Sequence, residues 1–243
     1  MSSKNKDNQS IIVALDYHRK KDAIEMAKRL DPSICNLKVG LELFISEGPK
    51  IISDLNNLGY KIFLDLKLHD IPNTVQNSCK MAADLGVWML NVHALGGRKM
   101  LEAAKNIFEI NNYSTKLIGV TILTSLTSNE LNETGQNQDI NNQVTKLTEL
   151  CMNLNYDGVV CSPHESKSLY SKYKNNIILV CPGIRDGDIK INSDDQKRYM
   201  SPIEAARNKA TYIVVGRPIT GSENPSLSLE KINNQFKEGA KNE

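Results

Sequence analysis

Eight short apolar runs rich in valine and isoleucine, each followed by a helical pattern, predict an α/β protein: a closed (β/α)8 barrel of the TIM type, in a single domain. Two further observations support this class. The runs start about 20–40 residues apart, the spacing of parallel strands joined by crossover helices. No glycine-rich dinucleotide turn and no P-loop follows the first run, so an open doubly wound sheet lacks its usual signature.

The elements follow in order. The polar start, MSSKNKDNQS, reads as a flexible tail over residues 1–9, with the barrel over 10–243. The first strand is IIVALD (11–16). The helix after it, 22–30, sets Ile24, Ala27 and Leu30 on one side and charges on the other. CNLKVG (35–40) is the second strand. A helix over 48–59 has Pro49 in its first turn and stops at Gly59, the usual asymmetry of helix ends. KIFLDLK (61–67) and WMLNVHA (88–94) are followed by helices over 73–86 and 97–110. KLIGVTILT (116–124), DGVVCS (157–162) and NIILVCPG (176–183) alternate with helices over 140–154 and 164–173. A polar stretch, 184–200, follows the seventh strand and is long enough to be functional or disordered. A helix over 202–208, the strand TYIVVG (211–216) and a helix over 225–238 complete the set.

Composition narrows the classes of function. Of 243 residues, 40% are hydrophobic and 24% charged, enough for a core of ordinary size. The net charge of +2 comes from acids and bases mixed along the chain, with no basic arm or stripe, which argues against a nucleic-acid surface. No signal-peptide core and no run long enough to cross a bilayer is present, so no membrane partner is expected. Five scattered cysteines, 35, 79, 151, 161 and 181, form no metal-binding pattern; free thiols in a reducing cytoplasm are the simplest reading.

The third strand is unusual because it carries charge. Side chains alternate along a strand, so Ile62, Leu64, Leu66 and Leu68 share one face of KIFLDLKL, while Phe63, Asp65 and Lys67 share the other. In a barrel the leucine face meets the helices and the second face points into the lumen. Charges deep in a lumen are costly, so these belong near its open end and in pairs. Asp16 ends the first strand, Lys38 lies near the end of the second, and Arg185 and Arg217 lie just past the seventh and eighth. One Asp–Lys pair at a strand end is usually a structural ion pair. Charge at several strand ends is the pattern of a barrel active site, which forms at that face. His93 fits a structural role as well as an active-site one, and His18 and His164 read as surface or helix-start residues. CPGIRDGD and VVGRPIT follow the last two strands, where barrels commonly bind phosphate. Gly216 offers close backbone approach there, and Arg217 a bidentate positive fork.

Taken together and in order, ALDYHRKKDA, LKVGLELF, FLDLKLHDIPNTV, NVHALGG, VTILTS, DGVVCS, PGIR and VVGRPIT resemble the orotidine 5′-phosphate decarboxylase family in its bacterial form. The resemblance covers essentially the whole chain after the tail, and DLKLHDIPNT is its most specific part. It implies a cofactor-free, metal-free homodimer with shared active sites, converting orotidine 5′-phosphate to UMP and CO2 in the last step of de novo pyrimidine synthesis. It also implies roles for residues. Lys38, Asp65, Lys67 and Asp70 form a charged catalytic array, Asp70 acting in the partner's site. Asp16 and Lys38 hold ribose hydroxyls with Thr74 of the neighbouring copy, and Ile71 joins the substrate-binding set. Thr124 and Ser125 are the candidates to line the pyrimidine. Gln196, Gly216 and Arg217 hold phosphate, with Arg185 nearby. A looser Asp-x-Lys-x-x-Asp pattern also occurs in related sugar-phosphate barrel enzymes. A Mg²⁺-dependent sugar-phosphate decarboxylase or aldolase is therefore the alternative, and a non-catalytic phosphate-binding protein a third reading.

The implied chemistry explains the residue types. Loss of CO2 from a pyrimidine carbon leaves a carbanion, and no pyridoxal or thiamine site is visible in the sequence to take up its charge. Fixed protein charges must stabilise it, and an acid must then protonate it. A lysine does both, and flanking carboxylates favour its cationic form. Lys67 is the expected proton donor.

Overall fold

The computed structural model describes residues 9–136, 139–185 and 199–241. The expected tail lies outside the described residues except for Gln9, whose carbonyl accepts a hydrogen bond from Asn36 Nδ2 at 3.1 Å. Among the described residues eight strands are present: β1 (Ile11–Leu15), β2 (Cys35–Gly40), β3 (Ile62–Leu68), β4 (Met89–His93), β5 (Lys116–Val120), β6 (Gly158–Val160), β7 (Ile178–Cys181) and β8 (Tyr212–Val215). They pair in sequence order into a closed barrel, all parallel, with β8 returning to β1. The (β/α)8 expectation is borne out.

The helices are α1 (Lys20–Lys28), α2 (Leu41–Glu47), α3 (Lys50–Asn56), α4 (Pro72–Asp84), α5 (Gly97–Ile110), α6 (Ser128–Glu133), α7 (Ile140–Asn153), α8 (Pro163–Tyr173), α9 (Pro202–Arg207), α10 (Arg217–Thr220) and α11 (Pro225–Lys241). Three of them lie where no helix was expected. α2 follows β2 directly and ends at Gly48, which is left-handed (φ +67°) and returns its N–H to the Phe44 carbonyl. α6 is opened by a capping box between Thr127 and Glu130. α10 is a single turn beginning at Arg217. β5 stops at Val120, four residues short of the expected end. Thr121 turns out of the strand there, and its hydroxyl caps the Val160 carbonyl at 2.8 Å.

Alternation sorts the side chains into two cores. Ile11, Val13, Leu15, Ile62 and Leu64 face the helices and join the large outer core. Ile12, Ala14, Phe63, Met89, Ile118 and Val180 fill the lumen. The lower lumen is thus largely apolar, with Asn36 its buried polar exception near Gln9, and the charged side chains are left the upper end. β6 and β7 approach closely at Gly158, where a Cβ would stand 1.9 Å from the Ile178 carbonyl oxygen. The five cysteines are all buried, and none of them forms a disulfide. Among the described residues no helix is long and apolar enough to cross a membrane.

The alternation of β3 breaks in one place. Phe63 and Leu64 pair with Met89 and Leu90, but the next partners are Leu68 and Val92, so β3 holds two residues more than β4 over this span. Lys67 sits in this irregularity with a left-handed backbone, φ +49°. That conformation costs a residue with a side chain about 1–2 kcal/mol.

Candidate active site

A cavity of about 560 Å³ opens at the C-terminal ends of the strands. Ala14, Phe63, Val120, Val160 and Val214 form its apolar lining. Asp16, Lys38, Asp65, Lys67, Thr124, Ser125, Arg185, Gly216 and Arg217 are its polar or backbone elements. Nine residues singled out from the sequence therefore meet in one space. The C-terminal ends of strands point there by topology, and the residues beneath give the cavity an apolar floor.

The charged groups form a chain along one wall. Lys38 Nζ lies 3.2 Å from Asp16 Oδ1 and 3.4 Å from Asp65 Oδ2. Lys67 Nζ lies 2.7 Å from Asp65 Oδ1. Asp65 is thus shared by two ammonium groups. A Cβ on Gly40 would come within 3.1 Å of Lys38 Nζ, so the glycine leaves that ammonium its place. Burial pushes the Asp65 carboxyl up, but the charges of Lys38 and Lys67, with hydrogen bonds from Lys67 and Asn91, outweigh it and hold the group below the ordinary aspartate range. Burial likewise pushes Lys38 down, and Asp65 and Asp16 more than restore it, leaving it above its ordinary value.

Arg185 and Arg217 reach the cavity from beyond β7 and β8. The Arg185 backbone is held by the Met200 carbonyl at 3.0 Å, and its Nη1 donates to the Ile184 carbonyl at 3.1 Å. Arg217 opens α10, whose turn closes on the Gly216 carbonyl through the Ile219 and Thr220 N–H groups. Thr124 is buried and Ser125 is half-buried; both line the cavity.

Three expected residues stand apart from this cavity within one chain. Asp70 turns its carboxylate to the Ile71 N–H, at 2.6 Å, and does not join Lys67. Ile71 is 67% exposed, and Thr74 is exposed on the first turn of α4. Pro72 is the first residue of that helix. Gln196 lies outside the described residues.

His93 is a structural histidine. Its Nδ1 accepts the Leu95 N–H at 3.4 Å and caps the 3₁₀ turn Ala94–Gly96, while its ring stacks on His69 at 5.3 Å. Burial first, then the nearby His69 and Lys67, pushes it down to about 4, which keeps it neutral. One polar residue beside the array was not anticipated. Asn91, fully buried on β4, contacts both Asp65 and Lys67. The same period-2 reading that found Asp65 would have found it, since Met89, Asn91 and His93 share the lumen face. Among the described residues, no group of three or more His, Cys, Asp or Glu side chains is placed to hold a metal ion.

Fold and site together define a barrel enzyme with a lysine–carboxylate array and cationic side chains at one cavity mouth. A sequence profile described as "Orotidine 5′-phosphate decarboxylase / HUMPS family" matches residues 9–232. The chain belongs to that family. It is 46% identical over 225 residues to a protein of Neisseria meningitidis serogroup C named orotidine 5′-phosphate decarboxylase, covering 92% of this chain and 90% of the relative. A protein of the same name from Nitrosospira multiformis is 45% identical over 228 residues, 94% of each chain. The crystal structure of orotidine 5′-phosphate decarboxylase from Lactobacillus acidophilus superposes with a TM-score of 0.82 at 37% identity, covering 94% of this chain and 99% of that one.

The shared carboxylate makes a stability prediction. Because its folded pKa is depressed, Asp65 contributes stability that is fully present above the unfolded value, about 3.9. That contribution is lost as pH falls below this value towards the folded one. The stability difference between the native chain and Asp65→Asn, measured by urea unfolding, should therefore shift against the native chain between about pH 6 and about pH 3. A difference that stays constant over this range contradicts the assignment.

Proposed function

We propose that this chain is an orotidine 5′-phosphate decarboxylase, producing UMP and CO2 in the last step of de novo pyrimidine synthesis. The observation that carries the proposal is the Lys38–Asp65–Lys67 array in one cavity with Arg185 and Arg217, in a chain 45–46% identical to proteins of that name. Residues 10–243 constitute the catalytic domain in this reading. Five buried thiols outside any disulfide support a reducing, cytoplasmic setting.

The chemistry follows from the array. The bond between C6 and the substrate carboxylate breaks, CO2 leaves, and the electron pair stays on C6. The Lys67 ammonium stabilises that charge and then transfers a proton from Nζ to C6, giving UMP; the amine regains its proton from water. Asp65 fixes Lys67 before the substrate arrives, so little reorganisation is needed as charge develops. Asp16 and Lys38 bind ribose hydroxyls, and Thr124 and Ser125 line the pyrimidine. Arg217, Gly216, Arg185 and Gln196 bind the phosphate. A Cβ on Gly216 would meet only ordinary contacts with Ala14 and Asp16; glycine is called for there by the backbone, whose φ of −107° and ψ of −107° lie outside the main regions open to other residues. Phosphate binding energy far from C6 then serves to align the reacting ring.

A homodimer completes the site in this reading. Asp70, Ile71 and Thr74 lie on an exposed segment and project to the neighbouring copy's cavity. Exposed apolar side chains after three successive strands, Leu41 and Ile45 in α2, Ile71 before α4 and Leu95 after β4, support a partner on that side.

Two measurements test this reading. The native chain should consume orotidine 5′-phosphate, followed by absorbance, at a rate unchanged by a chelator. Lys67→Ala, shown folded by circular dichroism, should lose at least about 10²–10⁴-fold, the general-acid share alone. Near-native turnover in that variant rejects Lys67 as the donor, and sensitivity to chelation favours the Mg²⁺-dependent alternative. Second, Lys67→Ala and Asp70→Ala, each inactive alone, should complement after subunit exchange. Half of the dimers would be mixed, each with one intact site, giving roughly a quarter of native activity by two-fold symmetry. No recovery despite proven exchange means that each site is built from one chain.

A further inference from the structure

We infer that Asn91 is a positioning residue for the proton donor: its side-chain amide ties the backbone of Lys67 to the carboxylate of Asp65. The inference rests on the decarboxylase reading of the site, and four observations carry it.

Asn91 is completely buried on the lumen face of β4, in register with the apolar Ile118 of β5. A buried amide is costly unless its polar atoms are satisfied. Both are. Oδ1 accepts the Lys67 N–H at 2.8 Å, and Nδ2 donates to Asp65 Oδ1 at 2.7 Å. The two bonds allow a single orientation, because a flipped amide would set donor against donor and acceptor against acceptor.

The bond to Lys67 compensates for the irregularity in β3. Two extra residues take Lys67 out of the β3–β4 ladder, and its backbone is left-handed. Asn91 Oδ1 stands in for the missing ladder acceptor. Strained backbone persists only where surrounding structure over-determines it, and this bond is a direct restraint on it. The second bond lands on the same Asp65 oxygen that Lys67 Nζ contacts, while the other oxygen faces Lys38. One amide therefore fixes both ends of the Asp65–Lys67 pair. Asn91 does not line the cavity, so it acts through those residues and does not touch substrate.

Two substitutions separate positioning from mere folding. Asn91→Leu keeps the number and branching of the side-chain heavy atoms and removes both bonds. Asn91→Asp keeps an acceptor for the Lys67 N–H, and its protonated form also donates to Asp65, reproducing the amide. Its ionised form sets a second carboxylate against Asp65. The groups facing it are Asp65 and Lys67 from β3, Lys38 from β2 beyond Asp65, and His93 on β4; the facing part of β5 offers only Ile118 and Gly119. Burial and the neighbouring carboxylate favour the protonated form as pH falls.

Native, Leu and Asp proteins are assayed from about pH 8 to about pH 5, and UMP binding by calorimetry reports an intact site. The Leu variant should bind UMP normally and lose kcat about 10- to 100-fold at every pH, with KM nearly unchanged, the scale on which lost orienting partners act. The Asp variant should be as slow at high pH and regain kcat on acidification, relative to the native enzyme at each pH. Native kcat in both variants overturns the inference, as does a Leu-type loss in the Asp variant without acid recovery. Failure of both variants to fold or bind UMP also overturns it, since Asn91 would then be structural. An inactive native enzyme defeats the functional reading itself, and the inference falls with it.

Discussion

The Asp65 carboxylate is the constraint on which the site depends. It lies nearly buried at the top of an apolar lumen, where an unpaired charge would be untenable. Two ammonium groups and one amide compensate for its lost hydration. The arrangement is reciprocal, because the carboxylate also fixes Lys38 and Lys67. Removing any member leaves the others buried and poorly matched, so the array behaves as one unit rather than a sum of pairs.

The barrel makes such a unit possible. The lumen below is filled by Phe63, Met89, Ile118 and their neighbours, which exclude water from beneath the array. Charges in that setting interact more strongly than at a surface. The charged groups gather at the C-terminal strand ends, where successive strands deliver Asp16, Lys38, Asp65 and Lys67 along one wall. The last two strands deliver the arginines to the same mouth. In the proposed reading, separate regions of the cavity serve ligand anchoring and bond breaking, so binding energy gained at one is used at the other.

Much of this was legible from the sequence because it follows from alternation and topology. A charge at the C-terminal end of a buried strand has one place to go in a barrel, and so Asp16, Lys38, Asp65, Lys67, Arg185 and Arg217 were found. What escaped notice depends on departures from regularity. The two-residue excess in β3 is invisible in KIFLDLKL, whose alternation looks continuous, yet it produces the left-handed backbone of Lys67. Asn91 was hidden inside an apolar run, although its position on the lumen face was computable. α2 was missed because LELFISE follows its strand without a turn, and Gly48 ends that helix rather than opening the next. α6 does carry a local signal, the capping box that Thr127 and Glu130 form three residues apart. Asp70, Ile71 and Thr74 could be placed only by resemblance, since a single chain gives them no contact with the array.

The central claim is that an ammonium group at position 67, held by Asp65, is the group on which decarboxylation depends. Lys67→Cys followed by alkylation with 2-bromoethylamine tests it most directly, because the product carries an ammonium at nearly the length of lysine. The side chain at 67 is partly exposed, whereas the native thiols are buried, and burial pushes those of Cys35, Cys79 and Cys151 up to about 12. Selective labelling is therefore attainable, and mass spectrometry verifies it. The account predicts that Lys67→Cys is inactive on orotidine 5′-phosphate and that stoichiometric aminoethylation restores a large part of turnover. A fully modified, folded protein that remains inactive, or an unmodified variant that turns over normally, would contradict it.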